Sequence, residues 1–389
     1  MIQKLWIMEH ARVTILPFRR GPIRGPGART RPMKPTGDPT LRRALIALGM
    51  VALSSSLITL PAQAAVEVAT VRLADTSETA REVAAFWLAD DGANLRAATP
   101  YTVHTEMTAE RSATEIVPDG KPGVVAPVAP GGAAAPDGTL PTPSGKVFFI
   151  GSDNEPHWCT GTAVQGQYRN VVATAGHCVF DVEAPMGALG KWVFAPGQVA
   201  AGTAPFGLYV GKMGTAPYPF DDVRDYDRDY AFVNVYQGVV SPAPGTFTNV
   251  GRLVDVVGGQ GFAYNQPVGP AVDVLGFPAG AHPDGSRPYS GATLERSAGA
   301  TFAASVGVPR MDQPIGVESP FTGAGSIGSA WLNRYAADTG LGVLSGVTIS
   351  VSDTDGDGRY DAGVSPYFGS EAGQVWKIAT LNWTGIITR

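Results

Sequence analysis

Little of this sequence is charged. Asp, Glu, Lys and Arg make up 16% of its 389 residues, and the net charge is −5. A nucleic-acid partner needs a basic face to meet the phosphate backbone, and no such excess exists. A full-length membrane span is also missing. The apolar run at 44–60, ALIALGMVALSSSLITL, is 17 residues with three serines inside, at the lower limit for a span. Helical periodicity is scarce, and is carried by SETAREVAAFWLADD and SEAGQVWKIATL. Cysteine is nearly absent. Cys159 and Cys178 leave room for one bridge, which an exported chain would form. Closing a loop of that length stabilises by about 3 kcal/mol in the chain-entropy picture.

What is abundant is turn and strand chemistry. There are 49 Gly and 32 Pro, and short runs such as KVFFIG, NVVATAG, KWVFAPG, DYAFVNV, VDVLGFP and GVLSGVTISV lie between turn signals. This pattern predicts an all-β barrel or sandwich closed by a C-terminal helix. The chain divides in three. Residues 1–64 form an N-terminal extension and secretory signal peptide: Arg42-Arg43, the 44–60 run and the small-x-small site Ala62-Gln63-Ala64. Residues 65–145 are propeptide-like, with one helix around Val83, Phe86, Trp87 and Leu88, followed by a Pro/Gly/Ala-rich linker at 118–146. Residues 146–389 carry the chemistry.

VVATAGHC, residues 171–178, runs an apolar strand into small residues and then His177. The strand fixes the backbone, and small neighbours leave the ring room, as a general base requires. CTGTAV followed by TAGHC resembles the chymotrypsin/trypsin-like serine peptidases, in particular their bacterial secreted branch, which includes glutamyl endopeptidases. The resemblance spans 146–389 and is concentrated in its motifs. It implies two antiparallel β-barrels with a C-terminal helix and a site in the cleft between them. His177 is then the catalytic base. Asp229, the carboxylate that directly precedes the apolar strand YAFVNV, is the acid that orients it, and the order His, Asp, Ser is that of chymotrypsin. Asp221, Asp222, Asp225 and Asp227 lie in a charged turn and read as solvated. His10 and His104 precede the domain; His157 and His282 lie in Pro-containing turns and read as exposed.

The family's nucleophile loop reads Gly, any residue, Ser, Gly, Gly or Ser, Pro, apolar. Here the loop is Gly325-Ser326-Ile327-Gly328-Ser329-Ala330-Trp331. Aligned without gaps, Gly325 supplies the oxyanion-hole N–H and Ile327 takes the nucleophile slot, where a hydrocarbon cannot attack a carbonyl. Shifted by one residue, Ser326 is the nucleophile, Ala324 replaces the oxyanion glycine and Ile327 follows the serine. Ser329 is a third choice. Two functions follow: a secreted serine endopeptidase acting through an acyl-enzyme, or a catalytically inactive homologue that binds a peptide or protein in the same cleft. No Asp directly precedes the candidate serine, so activation through a salt bridge to a freed N-terminus is not implied.

Downstream, Ser345 in GLGVLSGVTI matches the pocket-strand serine that hydrogen-bonds the triad Asp. No histidine follows there, which removes the family's device for reading an acidic side chain. DTDGDGRYD places Asp353, Asp355, Asp357 and Asp361 at calcium-loop positions 1, 3, 5 and 9, with Gly358 at 6 but Val364 where the bidentate Glu belongs. It reads as either a structural calcium site or an acidic hairpin turn. No other cofactor is required, and the partner is a peptide or protein substrate, with no membrane contact after signal cleavage. N-terminal sequencing of the exported protein should find residue 65 or a later one first; a start before Ala62 would refute the cleavage site.

Overall fold

The computed structural model describes residues 66–387 apart from 135–137, 139, 183, 185–186, 198–201, 244 and 310. The expected signal peptide and its cleavage site lie outside the described residues. The two barrels are present. In the first, Ser144–Ile150 pairs with Pro156–Val164, then Val171–Thr174, Ala231–Val235, Tyr209–Pro217 and Gly190–Pro196, which returns to Ser144–Ile150. Every step is antiparallel, and closure leaves no strand edge in this ring.

The second ring runs Ala271–Gly276, Glu295–Val306, Pro314–Glu318 and Ala362–Pro366 on one side, and Ala330–Ala336 and Leu341–Val347 on the other. Two hydrogen bonds close it: Val347 N–H donates to Ser365 Oγ at 3.1 Å and Ile349 N–H to the Val364 carbonyl at 2.8 Å. The expected C-terminal helix is Ser370–Thr380. It covers the first barrel through Asn234, whose Nδ2 donates to the Ala379 carbonyl, and meets the second sheet through Trp376, stacked at 5.1 Å on Phe262 of Gly261–Tyr264.

The segment before residue 146 does not stand apart from the barrels. Val68–Arg72 adds to Tyr209–Pro217, Ala109–Arg111 to Glu295–Val306, and Gly123–Val125, within the expected free linker, to Gly261–Tyr264. The expected helix forms at Ser77–Leu88, started by Thr76, whose hydroxyl accepts from Thr79 N–H. It buries Ala80, Val83, Ala84 and Trp87, one helical stripe, and Trp87 Nε1 donates to the Lys191 carbonyl.

Between the barrels lies an unusual cation. Lys146, on the first barrel, is 7% exposed, and its ammonium sits 3.8 Å from the Trp158 ring centroid and 5.3 Å from that of Phe277 on the second barrel. Burial pushes the amine down to about 8 from 10.5. A folded-state value below the unfolded one means the unfolded chain holds more protons between these limits, so stability rises as pH climbs from about 8 towards 10.5. Lys146→Met should therefore raise stability at pH 7 by on the order of 2 kcal/mol and flatten that rise. Urea unfolding at pH 7 and pH 10 checks both.

Candidate active site

His177 occupies a single 3-10 turn, Gly176–Cys178, at the end of the Val171–Thr174 strand. Cys178 is bonded to Cys159 on the neighbouring Pro156–Val164 strand, so the expected bridge pins the turn. Trp192 Nε1 holds the Cys178 carbonyl at 2.9 Å. Gly176 has no room for a side chain, since a Cβ there would fall 2.6 Å from Phe220 and 2.8 Å from Asp229 Oδ1. Asp229 opens the Ala231–Val235 strand next door. One of its oxygens accepts His177 Nδ1 at 2.6 Å and the other accepts His177 N–H at 2.9 Å. Both residues are fully buried. With Nδ1–H spent on the carboxylate, Nε2 is the ring atom available for proton transfer, and it has no hydrogen-bond partner among the described residues.

The glycine loop leads into Ala330–Ala336 of the second barrel. Gly325 (φ +79°) and Gly328 (φ +85°) are both left-handed, whereas Ala324 and Ile327 have φ −57°. A Cβ on Gly325 would collide with the Phe277 carbonyl and the Trp158 ring at 2.4–2.5 Å. Glycines thus stand where the ungapped alignment puts them, and the shifted one would need glycine geometry at Ala324 and Ile327. Ser326 Oγ donates to the Thr322 carbonyl at 2.6 Å and lies 3.0 Å from the Gly323 carbonyl, so it is not bonded to His177. Ile327 is fully buried, and its carbonyl accepts from Thr160 N–H at 2.8 Å. The Gly325 carbonyl is held by Thr160 Oγ1. Ser329 is buried towards Gly276, where an added Cβ would lie 1.8 Å from its Oγ.

Several expectations need correction. Ser345 does not reach Asp229, both of whose oxygens are bonded by His177. Its Oγ accepts from Asn333 Nδ2 at 2.7 Å on the flank of the second barrel. Asp361 does not join the acidic cluster. Asp353, Asp355 and Asp357 bring ligand atoms within 4.8 Å of one another, while the Asp361 carboxylate accepts from Thr354 N–H and Oγ1. His282 is buried, its Nδ1 accepting from Tyr360 N–H. His157 is held between Asp153 and Thr99 and lines the cleft. Asp221 is buried, and Asp227 accepts from Asp312 and Gln313 N–H. Tyr101 is a site residue that sequence reading missed: its ring lies 6.3 Å from that of His177 and is 4% exposed. The cleft beside it measures about 430 Å³ and is lined by Thr99, Thr105, His157, Gly280, Arg287 and Ala324.

One six-stranded barrel carries a buried His–Asp pair, and a second carries a glycine loop that Thr160 of the first barrel holds by two hydrogen bonds. The fold is chymotrypsin-like. Neither a family model nor a curated protein matches the sequence. Among solved structures, the protease Anisep from Arthrobacter nicotinovorans is 23% identical, with a TM-score of 0.49 over 62% of this chain and 98% of that one. The thermostable serine protease AL20 from an extremophilic microorganism is 24% identical, with a TM-score of 0.49 and the same coverage of both chains. A Glu endopeptidase is 17% identical, with a TM-score of 0.43 over 72% of this chain and 100% of that one. Among the described residues, no helix is long and apolar enough to cross a membrane.

Asp229→Ala would strip the acceptor from two buried donors at once. It should destabilise the fold by about 3 kcal/mol, since each donor left unsatisfied costs about 1–3 kcal/mol. Denaturant unfolding at neutral pH measures this, and a change below half that size would mean the pair is not held as described.

Proposed function

We propose that this chain is an exported protein of the chymotrypsin fold that holds an extended peptide or protein segment in its cleft without hydrolysing it. The observation that carries this reading is the glycine loop. Between its two left-handed glycines the residue two after Gly325 is Ile327, the hydroxyl beside it, Ser326, is spent on the Thr322 and Gly323 carbonyls, and that of Ser329 is buried towards Gly276. Acyl transfer needs a hydroxyl within reach of the base, about 3 Å away. In this reading residues 1–64 direct export and residues 65–145 are a propeptide-like segment. The Cys159–Cys178 bridge suits an oxidising compartment.

A second reading, a serine endopeptidase, draws on one specific observation: the buried His177–Asp229 pair with Nε2 unengaged. There Ser326 would leave the Thr322 carbonyl and give its proton to His177. Asp229 would steady the imidazolium, and the backbone N–H groups near Gly325 would receive the oxyanion.

A fluorophosphonate probe separates the two. It should leave the parent protein unlabelled, and Ile327→Ser should gain labelling by at least tenfold, because base and acid already stand in place. Labelling of the parent at Ser326, lost in Ser326→Ala, would overturn the non-hydrolytic reading.

A further inference from the structure

The cleft is not empty of peptide: the chain's own residues 99–111 cross it. Thr99–Pro100 lies parallel to His157 and Trp158 of the first barrel, and Tyr101 N–H donates to the Trp158 carbonyl at 2.9 Å. The Tyr101 ring packs on Phe149 at 5.0 Å and covers His177. At His104 the backbone turns through the left-handed region, φ 51°, a conformation that costs a non-glycine residue on the order of 1 kcal/mol. The segment then changes walls. Val351 N–H of the second barrel donates to the Thr105 carbonyl, and Met107 N–H donates to the Val351 carbonyl, both at 3.0 Å. Again the pairing is parallel. Ala109 N–H reaches Ser352 Oγ, and Ala109–Arg111 joins the Glu295–Val306 strand.

Two features set this stretch apart from an ordinary strand. Beside the side-chain contacts of Thr99 with His157 and of Ser352 with Ala109, its bonds at Tyr101, Thr105 and Met107 are backbone bonds, which any extended peptide can make whatever its side chains. It also bridges a hollow: Thr99, Pro100, Thr102 and Thr105 form one side of the 430 Å³ cavity, and Gly323 and Ala324 of the glycine loop form part of the other. The Thr105 carbonyl is seated directly over Gly323, where a Cβ would lie 2.6 Å from it.

We infer that residues 99–111 are a tethered occupant of the cleft, a strap that lifts as a unit and competes with any second peptide for the Trp158 and Val351 backbone. The inference rests on the peptide-binding reading above. Tethering gives the strap a high effective concentration, so a free peptide sees only the fraction of molecules in which it is raised.

Amide exchange on the full chain tests the strap. The Tyr101, Met107 and Val351 amides should exchange with one common protection, at least a hundredfold below the amides of Ser144–Ile150. Met107→Pro, which deletes one wall bond, should speed exchange at Tyr101 and Val351 at least tenfold and leave Ser144–Ile150 unchanged. Exchange of these three amides only together with Ser144–Ile150 would make the segment permanent core and overturn the strap. A labelled synthetic peptide of residues 99–111, added in trans, should bind Met107→Pro at least tenfold more tightly than the parent. Equal affinity for both would overturn the competition. No binding to either, with the strap still exchanging as a unit, would remove the peptide-binding reading and leave the strap standing.

Discussion

One carboxylate shut away from water sets the terms for this molecule. Asp229 has no exposed surface, and its two oxygens take the His177 ring and the His177 backbone together. A buried charge is tolerable only when it is fully hydrogen-bonded, so the residues around it are constrained to keep those donors in place. The pair ties the end of one barrel strand to the start of its neighbour. The disulfide from Cys178, the Trp192 indole on the Cys178 carbonyl and the absence of a side chain at Gly176 serve the same geometry. The result is a fixed imidazole whose Nε2 has no hydrogen-bond partner among the described residues.

The second barrel carries a loop whose left-handed turns fall on glycine while its central residue is a hydrocarbon. Gly325 and Gly328 retain the left-handed turns, and Thr160 clamps the loop from both sides, its hydroxyl on the Gly325 carbonyl and its N–H on the Ile327 carbonyl. Such a loop can persist as architecture with a hydrocarbon at its centre, because buried isoleucine adds to the core where a serine would need a partner. The strap completes the picture: its tyrosine covers the base, and its backbone takes up hydrogen-bonding groups on both walls that would otherwise face the groove.

Much of this was legible locally. VVATAGHC and DYAFVNV each place a polar residue at the end of an apolar strand, and both strands and both residues came out as the pattern implies. The helix at 77–88 follows from its own capping and stripe, and the two cysteines had no other partner. Ser345 was misplaced because a strand alternates its faces. A motif match cannot tell which face meets Asp229, and this serine points to Asn333 instead. His282 and Asp221 looked solvated because turn composition says nothing about what folds over the turn.

By itself, then, the sequence determined the all-β class, the disulfide, the pairing of His177 with Asp229, and the oddity of an isoleucine among loop glycines. Each of these rests on a short local motif, in strand patterns and turn chemistry. Tertiary structure alone decided the rest. The alignment of the glycine loop depended on φ at four residues, and the hydroxyl of Ser326 on carbonyls that only the folded turn presents. The passage of residues 99–111 across the cleft depended on parallel backbone bonds to residues about sixty and two hundred and fifty positions away. Backbone bonds of that kind leave no mark on side-chain pattern, so no reading of the chain in one dimension can find them.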